Sequence, residues 1–282
     1  MFERISRSLE LVKTSWRVLM EDKKLLAFPV LSGIVMLIVI ATFILPLILA
    51  NGALSLSTRS PAGIVLLFLF YLASYFVVIF FNVGLISAVY AKMQGGSMTV
   101  GEGLAAAGTH LRSILAWALV AATVGLVLRL IEDRAGPAGQ IAAGLVGGVW
   151  SLVTMFVVPG LVFEDKGVVD AMKGSLSLVR RTWGESIVGS LSIGLVFFVI
   201  GAVGFVLVLA TTLLGSMLVV YAAVALYIVL VAALAILASA MQGVFVVALY
   251  IYAKTGEVPA VFDRDLVEGA FAPRAGTFRG TI

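Results

Sequence analysis

Apolar and polar positions divide this chain into long blocks. Six apolar blocks are long enough for membrane-spanning helices, because about 20 apolar residues cross a hydrocarbon core of roughly 30 Å. Gly, Asn, Ser and Pro occupy the gaps between the blocks, as turns require. We predict transmembrane helices at Leu26–Ala50, Ile64–Val89, Ile114–Ile131, Gln140–Val162, Ile187–Leu213 and Leu218–Tyr252.

The sixth block is too long for one straight crossing. Residues Leu218–Tyr252 would form a helix of about 52 Å at 1.5 Å per residue. We therefore expect this helix to tilt, break or project beyond the bilayer. Gln242-Gly243 is the expected point of interruption.

Cationic residues are distributed unevenly around these blocks. Of the 19 Lys and Arg residues, all but Arg59, Arg129 and Arg134 lie before the first span, after the last, or in the second–third and fourth–fifth gaps. Basic loops remain on the cytoplasmic side during membrane insertion. The asymmetry therefore predicts a multi-pass protein of the cell (plasma or inner) membrane, with both termini in the cytoplasm.

Composition excludes most other classes of protein. Apolar residues make up 62% of the chain and charged residues 12%, so the polar shell of a soluble helical protein is missing. The absence of cysteine removes disulfides and thiolate metal sites. We interpret the net charge of +4 as anchoring to anionic lipid headgroups, because no basic stripe with interleaved aromatic residues indicates nucleic-acid binding.

The chain also repeats itself. Ser8–Val12 followed by Trp16 matches Ser175–Val179 followed by Trp183, at the same spacing and each before a span. A unit with two spans keeps its orientation, so its copies are parallel. We predict an all-α membrane bundle of three parallel repeats, each an interfacial amphipathic helix plus a transmembrane hairpin. The repeats are 1–92, 93–164 and 165–255, in one domain of residues 1–255 followed by a cytoplasmic tail, 256–282.

The helices before the first and fifth spans are predicted to be amphipathic. Apolar residues recur every three or four positions from Phe2 to Leu19 and at Val169, Met172, Leu176 and Val179. Such helices lie in the membrane interface, with Trp at headgroup depth and basic side chains toward lipid phosphate. The predicted lipid-headgroup face comprises Arg4, Arg7, Lys13, Trp16, Arg17, Lys173, Arg180, Arg181 and Trp183. A fourth amphipathic piece is expected in the tail, at Val261–Phe271.

Polar residues inside the spans are few, and no ionisable group falls near the middle of one. Asn82 and Gln242 occupy neighbouring positions in the repeat, beside glycines. They indicate either a polar pocket at the pseudo-threefold axis or hydrogen bonds between helices, worth about 0.6 kcal/mol each on average in membranes. Pro159 is expected to kink its helix. The pocket would comprise Asn82, Gly84, Pro159, Gly160, Gln242 and Gly243.

Nothing in the chain indicates catalysis. His110 is the single histidine, and one histidine without cysteines makes a poor metal site. The acidic pairs Glu132-Asp133 and Glu164-Asp165 are expected in solvated loops. No P-loop, nucleophile elbow or HExxH motif is present. We therefore predict no catalytic residue, no cofactor and no metal.

One stretch of the chain resembles a known pattern. Beside Phe163-Glu164-Asp165-Lys166 stands the run Ala171-Met172-Lys173-Gly174-Ser175-Leu176-Ser177-Leu178-Val179. It is similar to the "small-x-x-x-Ser-x-x-Leu" amphipathic helix in the membrane region of certain glycerophosphodiester phosphodiesterases and of related uncharacterised six-span bacterial and archaeal proteins. Ser15–Leu19, with Asp22-Lys23 and Phe28-Pro29, resembles the uncharacterised members more closely.

The resemblance implies a helical membrane module without catalysis. The phosphodiesterases carry their chemistry in a separate soluble barrel domain, and residues 256–282 are too few to build one. We expect a non-enzymatic module that engages membrane lipids or a protein partner through its cytoplasmic face. The alternative is a transporter or channel for a lipid or small neutral solute. An intramembrane enzyme is the third possibility.

Overall fold

The structure, a computed structural model, describes residues 13, 15–49, 60–181 and 183–256. It is all-α, and no strand occurs among these residues. In chain order the helices are α1 (Ala27–Leu49), α2 (Pro61–Met93), α3 (Val100–Thr109), α4 (Leu111–Val153), α5 (Val157–Phe163), α6 (Val168–Arg181), α7 (Trp183–Thr211) and α8 (Met217–Thr255). The 3-10 helix Lys23–Leu26 precedes α1, and Thr212–Leu214 separates α7 from α8.

Six helical segments are long and apolar enough to cross a membrane. This confirms the number of spans predicted from the sequence, with ends that shift by a few residues. The range of α4 contains two crossings, the third and the fourth span, which are joined by a turn at Gly136. The segments are Lys23–Leu49, Pro61–Met93, Leu111–Pro137, Gly139–Phe163, Ile193–Thr211 and Met217–Thr255.

The turn between the third and fourth spans lies at Gly136. Its backbone has φ 59° and ψ −147°, a conformation that residues other than glycine rarely adopt. Pro137 follows, with a fixed φ that suits the start of the next helix. Glu132 and Asp133 lie on the helix before this turn, where they pair with Arg129, so the expectation of a loop here was wrong.

The sixth span is one continuous helix. Helix α8 has 39 residues, about 58 Å, and Gln242-Gly243 does not interrupt it, which corrects the prediction. A glycine inside a helix costs only about 1 kcal/mol relative to alanine. Here the missing side chain also makes room for Leu85 of α2, whose Cδ2 lies 2.6 Å from where a Cβ of Gly243 would stand.

The buried core lies toward one end of the bundle. It joins residues 85–93 of α2 to residues 240–250 of α8, together with Phe28 at the start of α1 and Phe156 before α5. We call this end the basic end, because lysines lie there in ion pairs with glutamates. Lys92 pairs with Glu21 at 3.6 Å and Lys254 with Glu164 at 2.7 Å. The other end, which holds the Gly136 turn, is the opposite end.

The order of elements is relevant to the predicted repeat. A short helix followed by two crossings occurs as α3 with α4, and again as α6 with α7 and α8. The amphipathic helix predicted for the first unit falls mostly in residues 1–12, which are outside the described residues. The tail beyond residue 256 and the fourth amphipathic piece predicted there are also outside them. The three-repeat interpretation stays a prediction.

Candidate functional site

The candidate site forms where the fourth span breaks, near the basic end. Helix α4 ends at Val153, three residues follow, and α5 begins at Val157. Pro159 explains the break, because proline lacks an N–H and its ring crowds the carbonyl of Met155, four residues earlier. The kink expected at Pro159 therefore lies one turn before it.

Helix α6 supplies the groups that the broken helix lacks. The Ser175 hydroxyl accepts a hydrogen bond from the Phe156 N–H at 3.0 Å and donates one to the Val153 carbonyl at 2.5 Å. Ser175 is 1% exposed, so unpaired backbone groups here would be costly. This contact positions α6 against the fourth span.

The face of α6 that packs on the fourth span coincides only in part with its predicted apolar face. Ala171, Ser175, Leu178 and Val179 are buried, spaced by three and four residues. Val169, which the sequence placed on the apolar face, is 63% exposed, because the residues that fit the broken helix are the small Ala171 and Ser175. Asp170, Lys173 and Arg180 point outward.

Glu164 is the centre of a polar cluster beside α6. The Tyr250 hydroxyl donates a hydrogen bond to Glu164 Oε1 at 2.5 Å. The ammonium groups of Lys254 and Lys166 both contact Oε2, at 2.7 and 2.8 Å. Glu164 and Asp165 lie in the loop between α5 and α6, as predicted, and the Asp165 side chain is 88% exposed. The Glu164 side chain is only 22% exposed and is bonded to protein, so for Glu164 the expected solvation was wrong.

These contacts control the ionisation of Glu164. Partial burial opposes the charged form, but the hydrogen bonds from Lys166, Lys254 and Tyr250 outweigh it and lower the pKa of Glu164 to about 2. Asp165 next to it has φ 45°, a left-handed conformation that Asp tolerates better than most residues. This turn brings Glu164 and Lys166 to the same side of the chain.

Aromatic rings position the tyrosine of the cluster. The Phe163 ring stacks on Tyr90 of α2 with centroids 4.3 Å apart, and it lies 5.7 Å from the Tyr250 ring. Tyr250 also lies 6.2 Å from Phe156. Three spans therefore meet around the carboxylate of Glu164, which cannot move without disturbing the packing of these rings.

A cavity of about 170 Å³ lies beside this cluster. Glu164, Lys166 and Lys254 line it on one side, and Gly174, Ser177 and Leu178 of α6 line the other. The Lys166 ammonium lies 3.4 Å from where a Cβ of Gly174 would stand, so the glycine leaves room for it. The cavity combines two ammonium groups, one carboxylate and one hydroxyl at the basic end.

The glycines of the predicted pocket contact other side chains. The Phe28 ring fills the space at Gly84, where an added Cβ would lie 2.7 Å from it. Gly243 receives Leu85, and buried Gly160 faces Ala171, 3.5 Å from its would-be Cβ. Pro159 is also buried. Asn82 is exposed and Gln242 half-buried, so these six residues do not converge on one polar cavity.

The predicted lipid-headgroup residues are largely on the surface where they are described. Lys13, Arg17, Lys173 and Arg180 are exposed, and Trp16 is 41% exposed. Arg4 and Arg7 lie outside the described residues, as do the side chains of Arg181 and Trp183. His110 contacts Asp165, with 3.6 Å between Nδ1 and Oδ1. No group of three His, Cys, Asp or Glu that could hold a metal occurs in the described part of the chain.

Sequence reasoning missed the cluster around Glu164. Lys166 and Lys254 were counted only as markers of topology, and Tyr250 carried no predicted role. One signal was available: an acidic residue directly after an apolar span, at the end of the bundle where lysines concentrate. A carboxylate in this position is more readily paired with lysine side chains than solvated by water.

Six long apolar helical segments among the described residues define a multi-pass α-helical membrane protein of unknown function. The chain belongs to a family of unknown function (DUF6159), whose model matches residues 61–260. Neither the curated proteins nor the solved structures contain a match to the chain.

Proposed function

We propose that this protein is a non-enzymatic membrane module that engages anionic lipids through its basic end, which faces the cytoplasm. The observation that carries the proposal is the mounting of α6. Its inner face is bound to the broken fourth span through Ser175. Its outer face presents Lys173 and Arg180 at the level where the spans end. Cationic side chains at that depth attract lipid phosphate.

The packing at the basic end also favours a module over a conduit. Phe28 fills the space beside Gly84 and Gly103, and Leu85 fills the space beside Gly243. At the basic end the described helices are therefore in direct contact. A pathway through this end would need these side chains to move.

The proposal is tested by the lipids that remain bound to purified protein. In mixed micelles of phosphatidylcholine and phosphatidylglycerol, the wild-type protein should retain phosphatidylglycerol preferentially, more so at low salt. The double variant Lys173→Gln/Arg180→Gln should lose this preference. The matched control is Arg129→Gln/Arg134→Gln, which removes the same charge from the opposite end. Equal retention by all three proteins would overturn the proposal.

The orientation can be tested separately. The chain has no cysteine, so single thiols can be introduced without background. Lys173→Cys should react with a membrane-impermeant maleimide only after cells are opened, and Arg134→Cys should react in intact cells. The reverse pattern would place the basic end outside.

We also infer that the three parallel repeats are real and that the module is related to the membrane region of glycerophosphodiester phosphodiesterases. The element order of α3–α4 and of α6–α8 supports the repeats. The role of Ser175 gives a physical reason for the serine of the shared helix pattern. An experimental structure whose hairpins do not superpose about an axis along the membrane normal would contradict the repeat.

A transporter or channel is the second candidate, and Asn82 favours it. Leu85 and Val89 share its face of α2 and are buried with α8 residues 240–250, whereas Val78, one turn toward the opposite end, is 45% exposed. None of residues 217–239 of α8 is buried. We infer from this change in burial that the two helices diverge at Asn82, and that Asn82 lies at the floor of a cleft open toward the opposite end.

This second candidate needs water in the cleft. If the cleft is water-filled, Asn82→Cys and Val78→Cys should react with a membrane-impermeant maleimide in intact cells. Phe198→Cys is the control, because Phe198 is 71% exposed on a span, where it faces lipid rather than water. Reactivity of the two cleft thiols no greater than that of the control would remove the transport candidate.

A further inference from the structure

We propose that the cavity beside Glu164 is a binding site for one phosphate group, carried as a monoester or diester. This deepens the proposed lipid function and rests on it. It assigns the binding to a cavity lined by Lys166, Lys254, Gly174 and Ser177, which are distinct from the outward residues Lys173 and Arg180.

The first argument is charge. Two ammonium groups contact the same carboxylate oxygen, so their nitrogens are no more than about 5.5 Å apart. One carboxylate neutralises one of them and leaves one positive charge. A structural ion pair needs a single lysine, whereas a pair of lysines at this spacing suits an anion with several oxygens. Each ammonium has three donors and uses one on Glu164.

The second argument is the opposite wall of the cavity. The exposed Ser177 hydroxyl makes no hydrogen bond to any described residue, so it is available as a donor. Gly174 adds no side chain, which keeps the space open. The volume of about 170 Å³ is between five and six times the roughly 30 Å³ that one water molecule occupies in the liquid, which leaves room for a phosphorus atom with its four oxygens.

The third argument is depth. Lys254 is in the last turn of α8, and Glu164 follows the last residue of the fourth span. Both are therefore at the level of lipid headgroups. A headgroup phosphate is the source that this position favours, and a soluble phosphate could reach the same atoms from the aqueous side.

The nearby acidic groups leave the cavity positive. Asp165 points to His110, and Asp170 pairs with Lys173 on the outward face at 3.8 Å. Glu164 already accepts hydrogen bonds from Tyr250 and from both lysines. These donors screen its negative charge from an incoming anion. A phosphate would share the ammonium groups with it.

The test uses the full chain, delipidated in detergent. Saturable binding of short-chain phosphatidic acid is measured by native mass spectrometry and by thermal shift, with inorganic phosphate as a competitor. Lys254→Gln should weaken binding about tenfold, since one charge-assisted hydrogen bond is lost. Ser177→Ala should weaken it a few-fold. Arg134→Gln, which removes the same charge from an exposed position at the opposite end, is the control and should bind as wild type.

Each outcome decides the proposal. Binding that inorganic phosphate does not displace assigns a lipid headgroup, and displacement by phosphate assigns a soluble phosphate source. Absence of saturable binding, or equal effects of Lys254→Gln and Arg134→Gln, overturns the site. Because Lys254→Gln also disturbs Glu164, Ser177→Ala provides a second variant that leaves the cluster intact. The phosphatidylglycerol preference carried by Lys173 and Arg180 is measured separately, so failure of the cavity leaves that result standing.

Discussion

The two halves of the bundle, toward the basic end and toward the opposite end, are built by different rules. Near the basic end, α8 buries nine residues between Ala240 and Tyr250 against the other helices. In its other half the same helix leaves Leu218 78% exposed and Leu226 71% exposed, and Phe198 of α7 is 71% exposed. Composition does not explain the contrast, because both halves are apolar.

The difference shows what holds a membrane bundle together. Lipid is as apolar as leucine, so burying an apolar side chain against protein gains little over leaving it in lipid. The basic half combines close shape fit, as at Phe28 with Gly84 and Gly103, with polar groups satisfied between elements, as at Ser175 and Glu164. The opposite half has such a contact where Tyr227 packs on Gly204 and donates a hydrogen bond to the Gly201 carbonyl at 3.2 Å, but much of its apolar surface is exposed. Apolar faces without these features remain in contact with lipid.

The largest effect should follow from removing the ring at the centre of the basic half. Phe28→Ala leaves a cavity among α1, α2 and α3 and should lower the free energy of unfolding by about 2–3 kcal/mol, below the 3–5 seen in soluble cores because the transfer contribution is small in lipid. The measurement is the midpoint of denaturation by sodium dodecyl sulfate in mixed micelles. Phe198→Ala, in the exposed half, should change it by less than about 0.5 kcal/mol. Equal losses would erase the contrast between the halves.

The next effect should come from the serine that caps the broken fourth span. Ser175→Ala leaves the Phe156 N–H and the Val153 carbonyl unpaired and should destabilise by about 2 kcal/mol. Ser177→Ala, two residues away and exposed, should be neutral for stability within about 0.5 kcal/mol. A Ser175→Ala protein as stable as Ser177→Ala would mean that α6 is held by packing alone.

Glu164 should make the basic half sensitive to acid. Its pKa is lowered from 4.5 to about 2 in the folded protein, so its contribution is fully present above pH 4.5 and is lost as the pH falls toward 2. Glu164→Gln should therefore unfold at a lower temperature than wild type at neutral pH, and the two should converge across this window. Glu21→Gln is the control, since its ion pair is 3.6 Å long and its side chain 53% exposed. A difference that stays constant with pH would contradict the role of Glu164.

The smallest effect should come from the charge cluster of the opposite half. Arg129 pairs with Glu132 at 3.4 Å and Asp133 at 3.2 Å, and its side chain is 48% exposed. Exposed pairs contribute about 0.2–1 kcal/mol, so Arg129→Gln should change stability by no more than that. A loss as large as that of Ser175→Ala, in the same denaturation assay, would show that the opposite half is also held by polar contacts.

Much of the fold could be predicted because the signals are local. The six spans follow from block length, and the turn at Gly136-Pro137 follows from its two residues. The prediction of an interruption at Gln242-Gly243 was wrong. In the sequence, a glycine that makes room for a neighbouring side chain, as Gly243 does for Leu85, looks the same as a glycine that breaks a helix. The face of α6 that packs on the fourth span could not be predicted from periodicity, which marks apolar residues such as Val169, whereas the small Ala171 and Ser175 make this contact.

The sequence by itself determined that the chain crosses a membrane six times, since length and apolarity decide insertion residue by residue. Only the tertiary structure decided which residues act together: Phe28 with Gly84, Ser175 with the broken span, and Glu164 with Lys166, Lys254 and Tyr250. The physical reason is that partition into lipid is a property of each segment alone, whereas hydrogen bonds and shape fit depend on atoms far apart in the chain. Tyr250 and Glu164 are 86 residues apart in the chain, yet they form a direct hydrogen bond.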